Sequence, residues 1–214
     1  LQSGGKANSA SGDGSLATAA PGKEGSDSFV YDPAHPVPTV GGPLCCDSEH
    51  LAPGPRDQKE VEARSDVLVY TTPPLDQDVE VTGLVTLDLF AKSSAVDTDF
   101  TGKLVDVWPN GFAQNLTEGI LRASFLASTT GEPAPITPGK VYEYKIDLWS
   151  TSNVFLKGHR IRLEVSSSNF PRFERNLNTG KRGAQDTQFV KATNTILYGG
   201  EHSSALILPV AASR

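Results

Sequence analysis

Methionine is absent from this chain of 214 residues, and cysteine occurs only at the adjacent positions Cys45 and Cys46. A translation product starts with methionine, so a sequence opening at Leu-Gln-Ser-Gly-Gly is expected to be a piece of a longer chain. Neighbouring Cα atoms sit about 3.8 Å apart, closer than a disulfide prefers. Two packed thiols after the Gly-Gly-Pro turn are therefore the plainer expectation beside a vicinal redox switch. No His or Cys stands at zinc-finger spacing from the pair. There is no run of eighteen apolar residues to span a membrane and no basic-then-apolar signal segment, and the compartment stays open. Cations are not clustered and the net charge is −6, which argues against a nucleic-acid partner. Gly-x-Ser-x-Gly, the strand-to-helix elbow that presents a catalytic serine in α/β hydrolases, does not occur.

What the chain does have is turns: 20 Gly and 15 Pro beside a modest 37% hydrophobic content. That mixture points to an all-β sandwich with long loops. Residues 1–65 show little periodicity and read as an irregular, loop-rich segment. By composition alone that is a linker or disordered arm, against which scattered anchors (Leu1, Leu16, Phe29, Val30, Tyr31 and Leu44) suit an extended strip pinned to a body. From residue 66 to 214 the pattern alternates with period two, the mark of half-buried strands. Strands are expected over 67–70, 80–91, 100–108, 119–126, 141–149, 158–166 and 204–210, with Pro109-Asn110-Gly111 as a hairpin turn. About eight strands with uneven connections and no long helix make a jelly-roll β-sandwich, of the galactose-binding-domain-like kind, the expected fold.

Residues that carry chemistry are few and have plain readings. His35 and His50 lie in Pro-rich segments, His159 at a Gly-His-Arg turn and His202 in a loop. Asp97 and Asp99, in Val-Asp-Thr-Asp-Phe, are the candidates for a hard cation, with Asp13 in Gly-Asp-Gly weaker still. Two carboxylates fall short of the six to eight oxygens calcium takes, and backbone-capping turns explain them better. Trp108, Trp149, Phe170 and Phe173 could form a sugar platform. The segment from Asn169 through Phe170, Arg172, Phe173 and Arg175 to Asn176 has the aromatic-plus-Arg composition of a protein interface as well.

That segment, within LKGHRIRLEVSSSNFPRFERNLNTG (156–180), resembles the C-terminal β-domain of the X-Pro dipeptidyl-peptidase and cocaine-esterase-like serine hydrolases. FVYDPAHPVPTVGG (29–42), DVLVYTTPPLDQDVEVTG (66–83), SSAVDTDFTGKLVDVWPNG (93–111), LTEGILRASF (116–125) and the closing ATNTILYGGEHSSALILPV are similar to it too, so the likeness spans nearly the whole chain. The resemblance implies a non-catalytic domain in which residues 1–65 wrap the body in order and contribute one edge strand. Its partner would be the α/β-hydrolase domain of the same parent chain, which holds the Ser-His-Asp machinery for ester or amide hydrolysis. No catalytic residue and no cofactor is implied here. The implied role is to pack on that domain, help wall the substrate pocket and offer surface for self-association. Loops 93–100 and 166–180, with Asp97, Asp99, Asn169, Phe170, Arg172, Phe173, Arg175 and Asn176, are the expected contact face. A stand-alone carbohydrate-binding jelly roll is the alternative, and a purely structural self-associating protein a third class.

Overall fold

A computed structural model describes residues 1–45, 52–181 and 186–211. Its strands are β1 (Gly25–Tyr31), β2 (Leu68–Thr71), β3 (Val79–Ser93), β4 (Asp99–Val107), β5 (Ala113–Arg122), β6 (Tyr142–Phe155), β7 (Arg160–Ser166), β8 (Ala192–Tyr198) and β9 (Ala205–Ile207). The only α-helix among the described residues is the single turn α1, Lys59–Glu62. One sheet runs β1-β8-β3-β6, with β9 added beside β3, and the other runs β2-β7-β4-β5. Every pairing between these strands is antiparallel.

The pairings β4–β5, β3–β6, β2–β7 and β1–β8 are nested. The chain is thus one long hairpin, its tip at Pro109–Gly111, rolled up so that alternate nested pairs fall in opposite sheets. That is the jelly-roll topology, and it confirms the all-β sandwich. Side-chain alternation sends one parity of each strand inward. Val85, Leu87 and Leu89 of β3, with Tyr144, Ile146 and Leu148 of β6, pack with Phe100 and Leu104 of β4 and Ile161, Leu163 and Val165 of β7.

Strand β4 is buried along its whole length, which a sheet with one wet face would not allow. Its outer face lies under a strap formed by residues 33–45 and 52–65. Val37 and Val61 of the strap cluster with Val67 and Val69. The strap's backbone bonds the sheet too, from Gln58 N–H to Ala113 O at 2.9 Å. Residues 7–16 run along the outer edge of β2, with N–H donation from Val69 to Ala7 O and from Thr71 to Gly14 O. Those bonds occupy groups that would otherwise invite another strand.

Three elements depart from the sequence expectations. Strand β5 starts at Ala113 rather than at 119, and residues 123–125 form a 3₁₀ turn. Buried Asn115, which accepts Arg56 N–H of the strap, and buried Thr117, which bonds β6 across the sandwich, explain the difference, because polar side chains at both positions hide the alternation. Strand β8 was not expected at all, since its inward position Asn194 is polar and completely buried. Its amide donates to Thr98 Oγ1 at 3.1 Å and Ser167 Oγ at 2.7 Å. Strand β6 continues past Trp149 through an irregularity in its pairing with β3 at Leu84/Thr86, where Trp149 takes φ +68°. Cys45 is not a free thiol, unlike the packed-thiol expectation, while Cys46 and His50 lie outside the described residues.

Candidate functional site

Strand β7 ends at Ser166 and runs into a segment whose short polar side chains do the work of a missing sheet partner. Ser166 and Thr101 hydroxyls bond at 2.6 Å, and Ser168 Oγ accepts Val37 N–H at 2.8 Å. The peptide between Phe170 and Pro171 is cis. On either side of it, Phe170 N–H donates to Val37 O at 2.9 Å and Phe170 O accepts from Thr39 N–H at 2.7 Å. The backbone at Phe170 is therefore fixed by the strap, while its ring is 41% exposed.

The next residues are tied down equally closely. Arg172 donates its backbone N–H to Thr39 Oγ1 at 3.1 Å, pairs its guanidinium with Glu118, and lies 4.9 Å over the Phe173 ring. Arg175 donates to Pro33 O at 2.8 Å. Asn176 donates to Asp97 Oδ2 at 3.1 Å and to Asp99 Oδ1 at 2.8 Å, and its carbonyl accepts the Tyr31 hydroxyl at 3.0 Å. Arg122 forks onto Asp99 at 2.9 and 3.2 Å, and Ser124 donates its backbone N–H and hydroxyl to Asp97 at 2.9 and 3.2 Å. Burial pushes the Asp99 carboxyl upward, against the Arg122 and Asn176 donors that favour its ionised form.

The eight residues singled out by sequence thus divide. Asp97, Asp99, Asn169 and Asn176 are buried inside the chain, where Asp97 and Asp99 meet donors rather than one another's ligand sphere. Phe170 and Arg175 are exposed, with Arg172 and Phe173 half-buried between. Among the described residues no three His, Cys, Asp or Glu side chains are grouped to hold a metal. Elsewhere, His159 bonds Asp106 through Nδ1 at 2.9 Å and carries Trp108 against it, ring centroids 5.5 Å apart. Trp108 also meets Phe112 edge-on at 5.5 Å beside the hairpin tip, and it stays 40% exposed. Trp149 is 67% exposed.

Sequence reading missed a row of buried charge under the strap. Glu164, Lys103 and Glu118 are cross-strand neighbours on β7, β4 and β5. Lys103 Nζ lies 3.4 Å from Glu164, 3.8 Å from Glu118, and donates to Gln58 Oε1 at 2.7 Å. Arg162 pairs with Glu62 of α1. In sequence these charges alternate as they would on a solvated face, so nothing marked them as covered.

Residues 1–207 match the sequence family described as the X-Pro dipeptidyl-peptidase C-terminal non-catalytic domain. The chain is 48% identical over 208 residues to the cocaine esterase of Rhodococcus sp. (strain MB1 Bresler), covering 96% of this chain but 36% of that protein. Among solved structures it is similar to an aminopeptidase from a marine sediment archaeon, Thaumarchaeota archaeon, with TM-score 0.85 and 32% identity over 96% of this chain and 36% of that one. An α-amino acid ester hydrolase gives TM-score 0.80 and 30% identity over 89% of this chain and 33% of that one. The chain spans about a third of the length of each of these proteins.

Proposed function

Since the chain belongs to the family of X-Pro dipeptidyl-peptidase C-terminal non-catalytic domains, we propose that it docks on the α/β-hydrolase domain of its parent chain and helps close the substrate pocket there. On this reading the parent cleaves esters or amides by acyl transfer through a serine, and this domain supplies structure around that chemistry. The names of the relatives, an esterase, an aminopeptidase and an ester hydrolase, support that reaction class.

One observation carries the choice of face. Phe170 is a large apolar side chain left 41% exposed on a backbone that the strap holds on both sides. An aromatic ring on an ordered loop loses little entropy when a partner covers it, which is how interface anchors work. Arg175 and Glu174, both exposed beside it, give the rim its polarity.

The test is Phe170→Ala in the intact parent protein, with Val30→Ala as the control. Val30 is 53% exposed but lies on edge strand β1. The expected outcome is a loss of about 1–3 kcal/mol of stability for the Phe170 variant and none for the control, together with a change in kcat/KM. Equal, near-wild-type behaviour of both variants would sink the assignment of this face. Carbohydrate binding is the second reading, and exposed Trp149 is what favours it. Saturable glycan affinity abolished by Trp149→Ala would establish it.

A further inference from the structure

A small cavity lies between the strap and the second sheet. Its wall includes Val37 of the strap, Lys103 of β4, Glu118 of β5, Glu164 of β7 and, just beyond β7, Ser168 and Asn169. Every residue of that wall is buried. The space left to a water-sized sphere is about 10 Å³, enough for one such molecule and for nothing much larger.

The polar groups of the wall are only partly used. Asn169 is 5% exposed and Glu164 3%, and neither Asn169 Oδ1 nor Glu164 Oε1 meets a donor among the described residues. Lys103 has donors to spare, since an ammonium carries three N–H groups. It bonds Gln58 Oε1 at 2.7 Å, while the Glu164 and Glu118 carboxylates stand off at 3.4 and 3.8 Å. Both are longer than the roughly 2.8 Å of a charge-assisted hydrogen bond. The hydroxyls beside them are taken: Ser166 and Thr101 bond each other, and Ser168 Oγ accepts Val37 N–H. A buried acceptor without a donor costs free energy, so the cavity favours an occupant that donates.

Charge decides what that occupant is. An anion would face Glu164 and Glu118, and a cation would sit against Lys103, with the Arg172 guanidinium already on Glu118. An apolar guest would leave both oxygens without a donor. The inventory fits a neutral molecule that donates twice and accepts at least once, and at this size that molecule is water. We propose that the cavity binds one water molecule, which accepts from Lys103 and donates to Asn169 and Glu164. About three partners are what a buried water typically has. The water then ties β4 and β7 to the root of the segment that carries Phe170, bridging side chains that do not reach one another directly. These groups all lie inside the chain, so the inference does not rest on the docking reading.

The test is a crystal structure of the intact parent at a resolution that shows internal waters. One well-ordered peak is expected in the cavity, within hydrogen-bond distance of Lys103 Nζ, Asn169 Oδ1 and Glu164 Oε1. A dry cavity overturns the proposal, and so does an Asn169 amide turned to donate directly to Glu164. Asn169→Leu adds a reading in solution, because Leu keeps the branched shape and has no acceptor. Over a dry void, that change removes an unpaired buried oxygen and leaves the unfolding midpoint unchanged or raised. With the water bound, it strips the bridge of a partner, and the midpoint should fall at unchanged denaturant slope. A midpoint that holds or rises overturns the proposal. Should the variant fail to fold, the wild-type crystal structure decides alone.

Discussion

Asn176 shows how much a single amide holds together in this domain. Its two N–H donors go to Asp97 and Asp99, its side-chain oxygen accepts Asn178 N–H at 2.8 Å, and its carbonyl takes the Tyr31 hydroxyl. Asn176→Ala leaves two buried carboxylates each short of a donor, which should cost about 1–3 kcal/mol per orphaned group. Chemical denaturation would show it as a lower midpoint at unchanged slope. Asn176→Asp should be worse, because it adds a third carboxylate to two that burial already strains. These residues were visible in the sequence as a motif. Their division into buried girders and one exposed ring was not, since Asn169 and Phe170 are neighbours and differ only in which way the fixed backbone turns them.

At the scale of the element, the closest approach is between β5 and β6, which face each other across the open end of the two sheets. Thr117 of β5 donates its hydroxyl to Leu148 O of β6. Gly119 lies so near that a Cβ would stand 1.9 Å from Asp147 O, a backbone atom with little room to yield. Gly119→Ala should therefore push the two strands apart and cost about 1–3 kcal/mol or more, measured as a lower thermal midpoint. Gly111 makes the contrast. It has φ +88° at the hairpin tip and nothing within 4 Å of a built Cβ. Gly111→Ala should cost only the conformational penalty, about 1 kcal/mol. Strand legibility follows the same physics. β3 and β7 were readable because their inward positions are apolar, whereas β5 and β8 carry Thr117 and Asn194 inward and β5 carries Asn115 under the strap, each satisfied by partners distant in sequence.

At the scale of the whole molecule, the rolled hairpin makes nearly every strand pairing non-local. β1 meets β8 across more than 150 residues of chain, from Tyr31 to Ala192. Such a topology folds slowly and leaves its outer faces to be covered by whatever the chain has in reserve. Here the strap covers one face of the second sheet, and the exposed loop around Phe170 is proposed to meet the hydrolase domain. A fluorophosphonate probe applied to the natural protein, followed by intact mass measurement, tests that picture. A singly labelled species well above the 22.7 kDa of this chain is expected. An unlabelled species of this mass would instead point to a free-standing domain and to glycan binding.

Period-two alternation and the supply of Gly and Pro turns were enough to point to a jelly-roll sandwich, and the likeness of the segment at 156–180 to a known family pointed to the family. Those are properties of local pattern: a strand's parity and a turn's chemistry are written in consecutive residues. What only the tertiary structure decided is which polar faces are dry. Lys103, Glu118 and Glu164 alternate like surface charges, and Glu62 sits in a polar strip, until the strap lays α1 across the sheet and takes all four out of water. Burial of a charge depends on what the fold brings from elsewhere in the chain, and no local pattern records it.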